Sequence, residues 1–252
     1  QISGAYTYLA LTHLIAGDLP EAKADLAASV RRCGQLGFPL NAFNRAHTYF
    51  KEIWVCLEAG QLDEALALSG EMRSCTENSG LDLWRFVSAT EYATVKAVSA
   101  MNAGADPGTL AVAAAKIARR VDESRLMHLN VYLTFHDSII SRLLIAAGRP
   151  DQARERLELS LNLAEETGMH FHDAELMRLR AHTVPPDQRR AALADALDFA
   201  RRQDALLFEL RCLIDSFEMF GDGDREGLTS VVNRLPENAG WPEQARAERI
   251  LS

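Results

Sequence analysis

Cysteine is scarce in this chain. Cys33, Cys56, Cys75 and Cys212 are its only four, and no two form a Cys-x-x-Cys pair, which argues against a zinc ribbon. Each lies within a helix-like apolar pattern and reads as a small buried core residue. That usage predicts a reducing, cytoplasmic setting. No apolar run is long enough to span a bilayer, and no signal peptide opens the chain. Strand signals are nearly absent, with no sustained period-two alternation and few β-branched clusters. Positive charge is in deficit: 27 Lys and Arg against 35 Asp and Glu leave a net charge of −8. Broad nucleic-acid binding needs a positive surface to displace counterions, so direct nucleic-acid contact is not expected. Nucleotide and hydrolase signatures such as G-x-x-x-x-G-K-[ST], G-x-S-x-G and H-E-x-x-H do not occur. Carboxylates alternate with bases, as on solvated helix faces. The chain is therefore expected to be no enzyme, and to carry no cofactor and no metal.

What is present is a period. Of the 252 residues, 48% are apolar, enough for a sizeable core. The pair Ala-Gly recurs at Ala16-Gly17, Ala59-Gly60, Ala103-Gly104 and Ala147-Gly148, spaced by 43, 44 and 44 residues. Similar text follows each pair: DLPEAKADLAASV after Gly17, QLDEALALSGEM after Gly60 and RPDQARERLELSL after Gly148, with a looser ADPGTLAVAAAKI after Gly104. A long apolar-periodic stretch ends at each Ala-Gly, because glycine tolerates the left-handed geometry that closes a helix. Asp, Pro and Glu then open a second helix, where acidic groups meet the positive end of the dipole. Leu19, Ala22, Leu26 and Val30 mark one face of that helix in the first block, and Ala153, Leu157, Leu161 and Ala164 do so in the fourth. One hairpin cannot cover its own apolar face, so neighbours must stack. The expected fold is all-α: an α-solenoid of antiparallel helical hairpins with repeats of about 44 residues, shorter towards the C-terminus. Helix pairs are expected at 2–35, 39–78, 82–123, 129–167, 170–203 and 204–235, with a capping helix near 241–251. Asn78-Ser79-Gly80 and Val184-Pro185-Pro186-Asp187 read as loops. With no low-complexity linker, residues 1–252 read as a single repeat domain. The first residue is Gln1, not Met, which predicts a fragment of a longer protein.

The text Gly17–Ala22, G-D-L-P-E-A, resembles the turn of a tetratricopeptide repeat. Gly60–Ala65 and Gly148–Ala153 fit as well. The small residue at the helix contact would be Ala22, Ala65 and Ala153, with Thr109 a departure in the third block. Tyr6 and Tyr49 fit the large anchor of the first helix, and Asp137 does not. From about residue 150 the chain resembles the C-terminal repeat region of large bacterial signalling proteins. In these a nucleotide-binding ATPase module, often with a cyclase or helix-turn-helix DNA-binding domain, joins a helical-repeat sensor. The matching features are Glu166-Thr167-Gly168, Ala174-Glu175-Leu176 with Arg178-Leu179-Arg180, Ala200-Arg201-Arg202, Phe208-Glu209-Leu210-Arg211, and Pro242, Ala245 and Ile250-Leu251. The family continues its helix past Arg-Leu-Arg, whereas here Ala181-His182-Thr183-Val184-Pro185-Pro186 cuts it short. The resemblance implies a sensor or scaffold domain of a bacterial signalling or transcriptional regulator, with a chain end near Ser252 that is natural. The alternative is a self-association module that makes the full-length protein a homo-oligomer.

Four constellations invite a sharper reading. His170, Phe171, His172 and Asp173 could begin a metal site, but zinc needs three or four converging ligands, and residues two apart do not share a helix face. The segment reads as a helix entry with exposed histidines, Asp173 serving as an N-terminal acid. Asp222-Gly223-Asp224-Arg225-Glu226-Gly227 looks like half a calcium loop, but the twelfth position is Asn233, where a bidentate acid belongs. Arginine pairs recur at Arg31-Arg32, Arg119-Arg120 and Arg201-Arg202, with Arg73 near the same register; a stripe of them could bind phosphate or an acidic partner, but the favoured reading is that they complement helix C-termini. Finally, in tetratricopeptide arrays the first helix of each pair lines a concave groove. The resemblance transfers its lining to Thr7, to His47, Phe50 and Trp54, to Glu91 and Thr94, and to Ser138 and Arg142. A protein or peptide partner, or a small ligand, would bind there.

Overall fold

The computed structural model of the chain describes residues 2–252 apart from Asn78 and Asn238, and Ile2 by its backbone alone. Asn78, assigned above to a loop, lies outside the described residues. Thirteen α-helices and no strand are found among the described residues. In chain order they begin with α1 (Ile2–Ile15), α2 (Leu19–Cys33), α3 (Leu40–Glu58), α4 (Leu62–Glu77), α5 (Asp82–Asn102) and α6 (Pro107–Leu126). Then come α7 (Leu133–Ala146) and α8 (Pro150–Thr167), α9 (Asp173–Ala181) and α10 (Pro186–Arg202), α11 (Leu206–Phe220) and α12 (Arg225–Arg234), and α13 (Pro242–Leu251). Consecutive helices pack on one another from α1 to α4 and from α6 to α11, and α1 also touches α3, α7 touches α9 and α9 touches α11. This is an α-solenoid of helical hairpins.

The punctuation of the sequence sets the boundaries. Gly17, Gly60, Gly104 and Gly148 all adopt φ between 68° and 84°, the left-handed region that L-residues with a Cβ disfavour. Asp18 and Asp106 then cap the following helices, accepting from Glu21 N at 3.1 Å and Thr109 N at 3.0 Å, and proline occupies the first turn of α2, α6, α8 and α10. In the third block α6 starts three residues after its glycine, where α2, α4 and α8 start two residues after theirs. That extra residue turns Thr109 outward, and Leu110 takes the inward position.

The chain divides into two compact units. The first comprises residues up to Lys96 together with Asn233–Arg246. Its hairpins close over Ala22 and Ala65, both fully buried. The helix expected near 241–251 is α13, and its start lies on the turns of the first two hairpins. Trp241, itself buried, donates its indole N–H to the carbonyl of Gly17 at 2.7 Å. A Cβ placed on Gly60 would lie 3.1 Å from the Cγ of Pro242.

The second unit comprises Ala97–Val232 and Ala247–Ser252. Helices α7 and α11 are its most buried elements, and Ala153, Leu157, Leu176 and Leu179 lie in its core. Helix α9 has nine residues and stops before Pro185-Pro186, where α10 begins. Two expectations need correction here. His172 is buried, not exposed, with its ring edge-on to Phe208 at 5.3 Å. Cys75, expected in the core, is only half-buried, whereas Cys33, Cys56 and Cys212 are buried.

Candidate functional site

In the first unit, Thr7 projects from α1, His47, Phe50 and Trp54 from α3, and Glu91 and Thr94 from α5. Five of these six are buried, and His47 is half-buried. Thr7 Oγ1 lies 3.5 Å from His47 Nδ1, and the His47 ring stands 5.8 Å from Trp84 and 6.3 Å from Tyr8. The residue that organises the cluster is Lys51, fully buried one position after Phe50. Its Nζ stands 4.6 Å from the ring of Phe50 and 5.0 Å from that of Trp54. Burial holds its ammonium well below the ordinary lysine pKa, while the Glu91 carboxylate pulls it back up. Burial, and then the Lys51 charge, push His47 down to about 4.

The second unit receives Ser138 and Arg142 on α7. Ser138 is buried and touches His172, Oγ to Nε2 at 3.2 Å. A serine beside an imidazole raises the question of nucleophile and base. The Ser138 hydroxyl is already donated to Phe135 O at 2.7 Å, so the His172 Nε2–H donates to Ser138. That is the reverse of a general-base arrangement.

Beside them lies an ion network. Arg178 grips Glu175 with two hydrogen bonds of 2.8 Å, and reaches Asp215 at 2.5 Å. His182 meets the same Asp215 at 2.6 Å, and Arg211 stands 3.7 Å from Glu175. Burial raises the pKa of Glu175, but Arg178 and Arg211 outweigh it and hold the carboxyl far below its usual range, with Arg142 adding to the effect. Asp215 is likewise lowered, burial being overcome by Arg178 and His182. A second network joins fully buried Asp137 to Arg125 at 2.7 Å and Arg156 at 2.5 Å, with Asp122 bridging both arginines.

The eight transferred positions thus fall in two groups, six in the first unit and two in the second. Among the eight, only His47 and Arg142 are partly exposed. Sequence reasoning missed Lys51, Glu175, Arg178, Arg211 and Asp215 as site residues, and weighed His172 only as a metal ligand. A signal existed for four of them. Glu175, Arg178 and Arg211 lie inside the very motifs that carry the resemblance, and Lys51 interrupts the apolar run of α3 (Phe50, Ile53, Trp54, Val55). Among the described residues no group of three or more His, Cys, Asp or Glu side chains converges to hold a metal. Burial drives the thiols of Cys56, to about 12, and Cys212 upward, which keeps both protonated and unreactive.

No protein-family profile matches the chain, and no curated protein matches it.

Proposed function

We propose that this chain is a binding module: the helical-repeat sensor or scaffold portion of a bacterial signalling or transcriptional regulator. It engages a protein, a peptide or a small ligand along its odd-numbered helices. One observation supports this reading above the others. Among the described residues, the buried charged side chains Lys51, Glu58, Glu91, Asp137, Asp173, Glu175, Glu209, Arg211, Asp215 and Glu243 all lie on odd-numbered helices, and the even-numbered ones bury none. Buried charge is a poor way to stabilise a fold. Within each unit, its confinement to the odd-numbered helices supports a recognition role for those helices. His47 and Arg142 are the transferred residues that solvent reaches.

The test is capture of a partner from lysate by the purified chain, compared with His47→Gln and Arg142→Gln, each first shown to retain the parent's helical spectrum. Loss of the captured species in either variant supports the reading. Equal capture by both folded variants overturns the face assignment. The purified chain is also expected to show neither nucleotide hydrolysis nor cyclase turnover. Turnover that follows the monodisperse protein through repurification would refute the non-enzymatic reading.

A second reading is self-association. Phe38, Leu40 and Phe43, at and before the start of α3, are 72%, 60% and 46% exposed, and exposed apolar patches mark contacts. If this patch joins two copies, sedimentation will show a dimer that Phe38→Ser with Leu40→Ser dissolves.

A further inference from the structure

Arg31 and Arg32 end α2 and line an open depression of about 370 Å³ together with Tyr6, Ala28 and Gln35. The plain explanation for arginines at a helix C-terminus is that they satisfy its last carbonyls. Here three of the last four carbonyls are already taken: Val30, Arg32 and Cys33 accept from the backbone amides of Gly34, Gln35 and Leu36. The other recurrent arginine pairs have carboxylates. Arg119 holds Glu123 at 3.2 Å, and Arg201 holds Glu209 at 2.9 Å and Asp224 at 3.5 Å. Among the described residues Arg31 has no such partner, and Arg32 is held only by the neutral Gln35 at 2.6 Å. The Tyr6 hydroxyl is equally uncommitted. Acid is missing from the surrounding sequence as well. In a chain of net charge −8, residues 1–17 and 26–51 contain no Asp or Glu.

We propose that this depression is a binding site for a small phosphate-bearing ligand, held by the guanidinium groups of Arg31 and Arg32 and the hydroxyl of Tyr6. Guanidinium forks match phosphate oxygens in pairs. Three separate donors suit a tetrahedral dianion better than a carboxylate. The depression is open and has room for a diphosphate or an organic phosphomonoester. The site draws Tyr6 from α1 but uses none of the buried charges, nor His47 or Arg142, on which the reading above rests, so either can fail alone.

Isothermal titration of the whole chain with pyrophosphate tests it, with inorganic phosphate, sulfate and succinate as competitors. Saturable one-site binding is expected, weakening with added salt. Arg31→Gln should lower the affinity about tenfold or more, and Tyr6→Phe by less, since a charge-assisted hydrogen bond outweighs a neutral one. Both side chains reach solvent, so both variants should fold. Arg119→Gln serves as the control and should change nothing. Non-saturable binding, succinate binding as tightly as pyrophosphate, or an equal loss in the Arg119 control would overturn the proposal.

Discussion

Lys51 and Glu91 are both fully buried in the first unit, and the carboxylate opposes the burial that lowers the pKa of the ammonium. Removing one charge leaves the other in a low-dielectric interior, where it is penalised. Lys51→Met and Glu91→Gln are therefore expected to be non-additive, with a coupling of about 1–3 kcal/mol in urea unfolding. Additive single and double variants would show that the two charges do not sense each other. His47 makes a pH prediction. Its pKa is about 4 folded and near 6.5 unfolded, so the unfolded chain takes up the proton first as pH falls. The stability it contributes is present above pH 6.5 and is lost between 6.5 and 4, a loss of up to about 3 kcal/mol. Lys51, Thr7, Tyr8 and Trp84 surround the ring. His47→Gln should flatten the parent's decline in stability over that window, and an unchanged decline would assign it elsewhere. The sequence placed His47 and Glu91 in the groove and let Lys51 interrupt an apolar run, but it did not show that the three meet. A lysine inside an amphipathic helix normally marks the solvent side, and only tertiary packing turns Lys51 inward.

At the scale of helices and turns, the sequence was most informative. Glycine with positive φ and a following proline or aspartate fix where one helix stops and the next starts, and these are local properties. The third turn resisted because one additional residue, within Ala105-Asp106-Pro107, shifts the register after the glycine and not before it. That is why Thr109 misleads while Glu91 and Thr94 keep their inward orientation. Gly148 has φ of 69° and nothing within 4 Å of an added Cβ, so Gly148→Ala meets backbone strain alone and should destabilise the chain by about 1 kcal/mol. The links between helices were less visible. Arg178 joins α9 to α11 through Glu175 and Asp215, and Arg178→Met, which strands two buried carboxylates, should cost about 3–5 kcal/mol. Because Glu175 and Asp215 titrate below their unfolded values, their stabilisation is complete above about pH 4.5 and disappears as pH falls further. The motifs Ala-Glu-Leu and Arg-Leu-Arg contain Glu175 and Arg178, and none contains Asp215; a motif names a position, and only the packed helices show which charges meet.

Across the whole chain, repetition made the solenoid legible and gave no hint of how its last segment would be used. A period records contacts between neighbouring blocks, and Trp241 and Gly17 are 224 residues apart. No local pattern can encode that pairing. Yet the indole N–H satisfies a carbonyl at the end of α1, and the neighbouring Pro242 lies against Gly60. The C-terminal segment thus belongs to the cohesion of the first unit. Trp241→Phe keeps most of the buried ring and deletes the N–H, so it isolates the hydrogen bond. The loss should be about 1 kcal/mol, equivalent to roughly 2–4 °C in melting temperature for a chain of this size. The location of the effect is the sharper test. Amide exchange should rise in the α1–α2 turn around Gly17, at the opposite end of the sequence, and should not change at the Gly148 turn. Exchange that rises only near residue 241 would mean that the segment rests on the first hairpin without stabilising it.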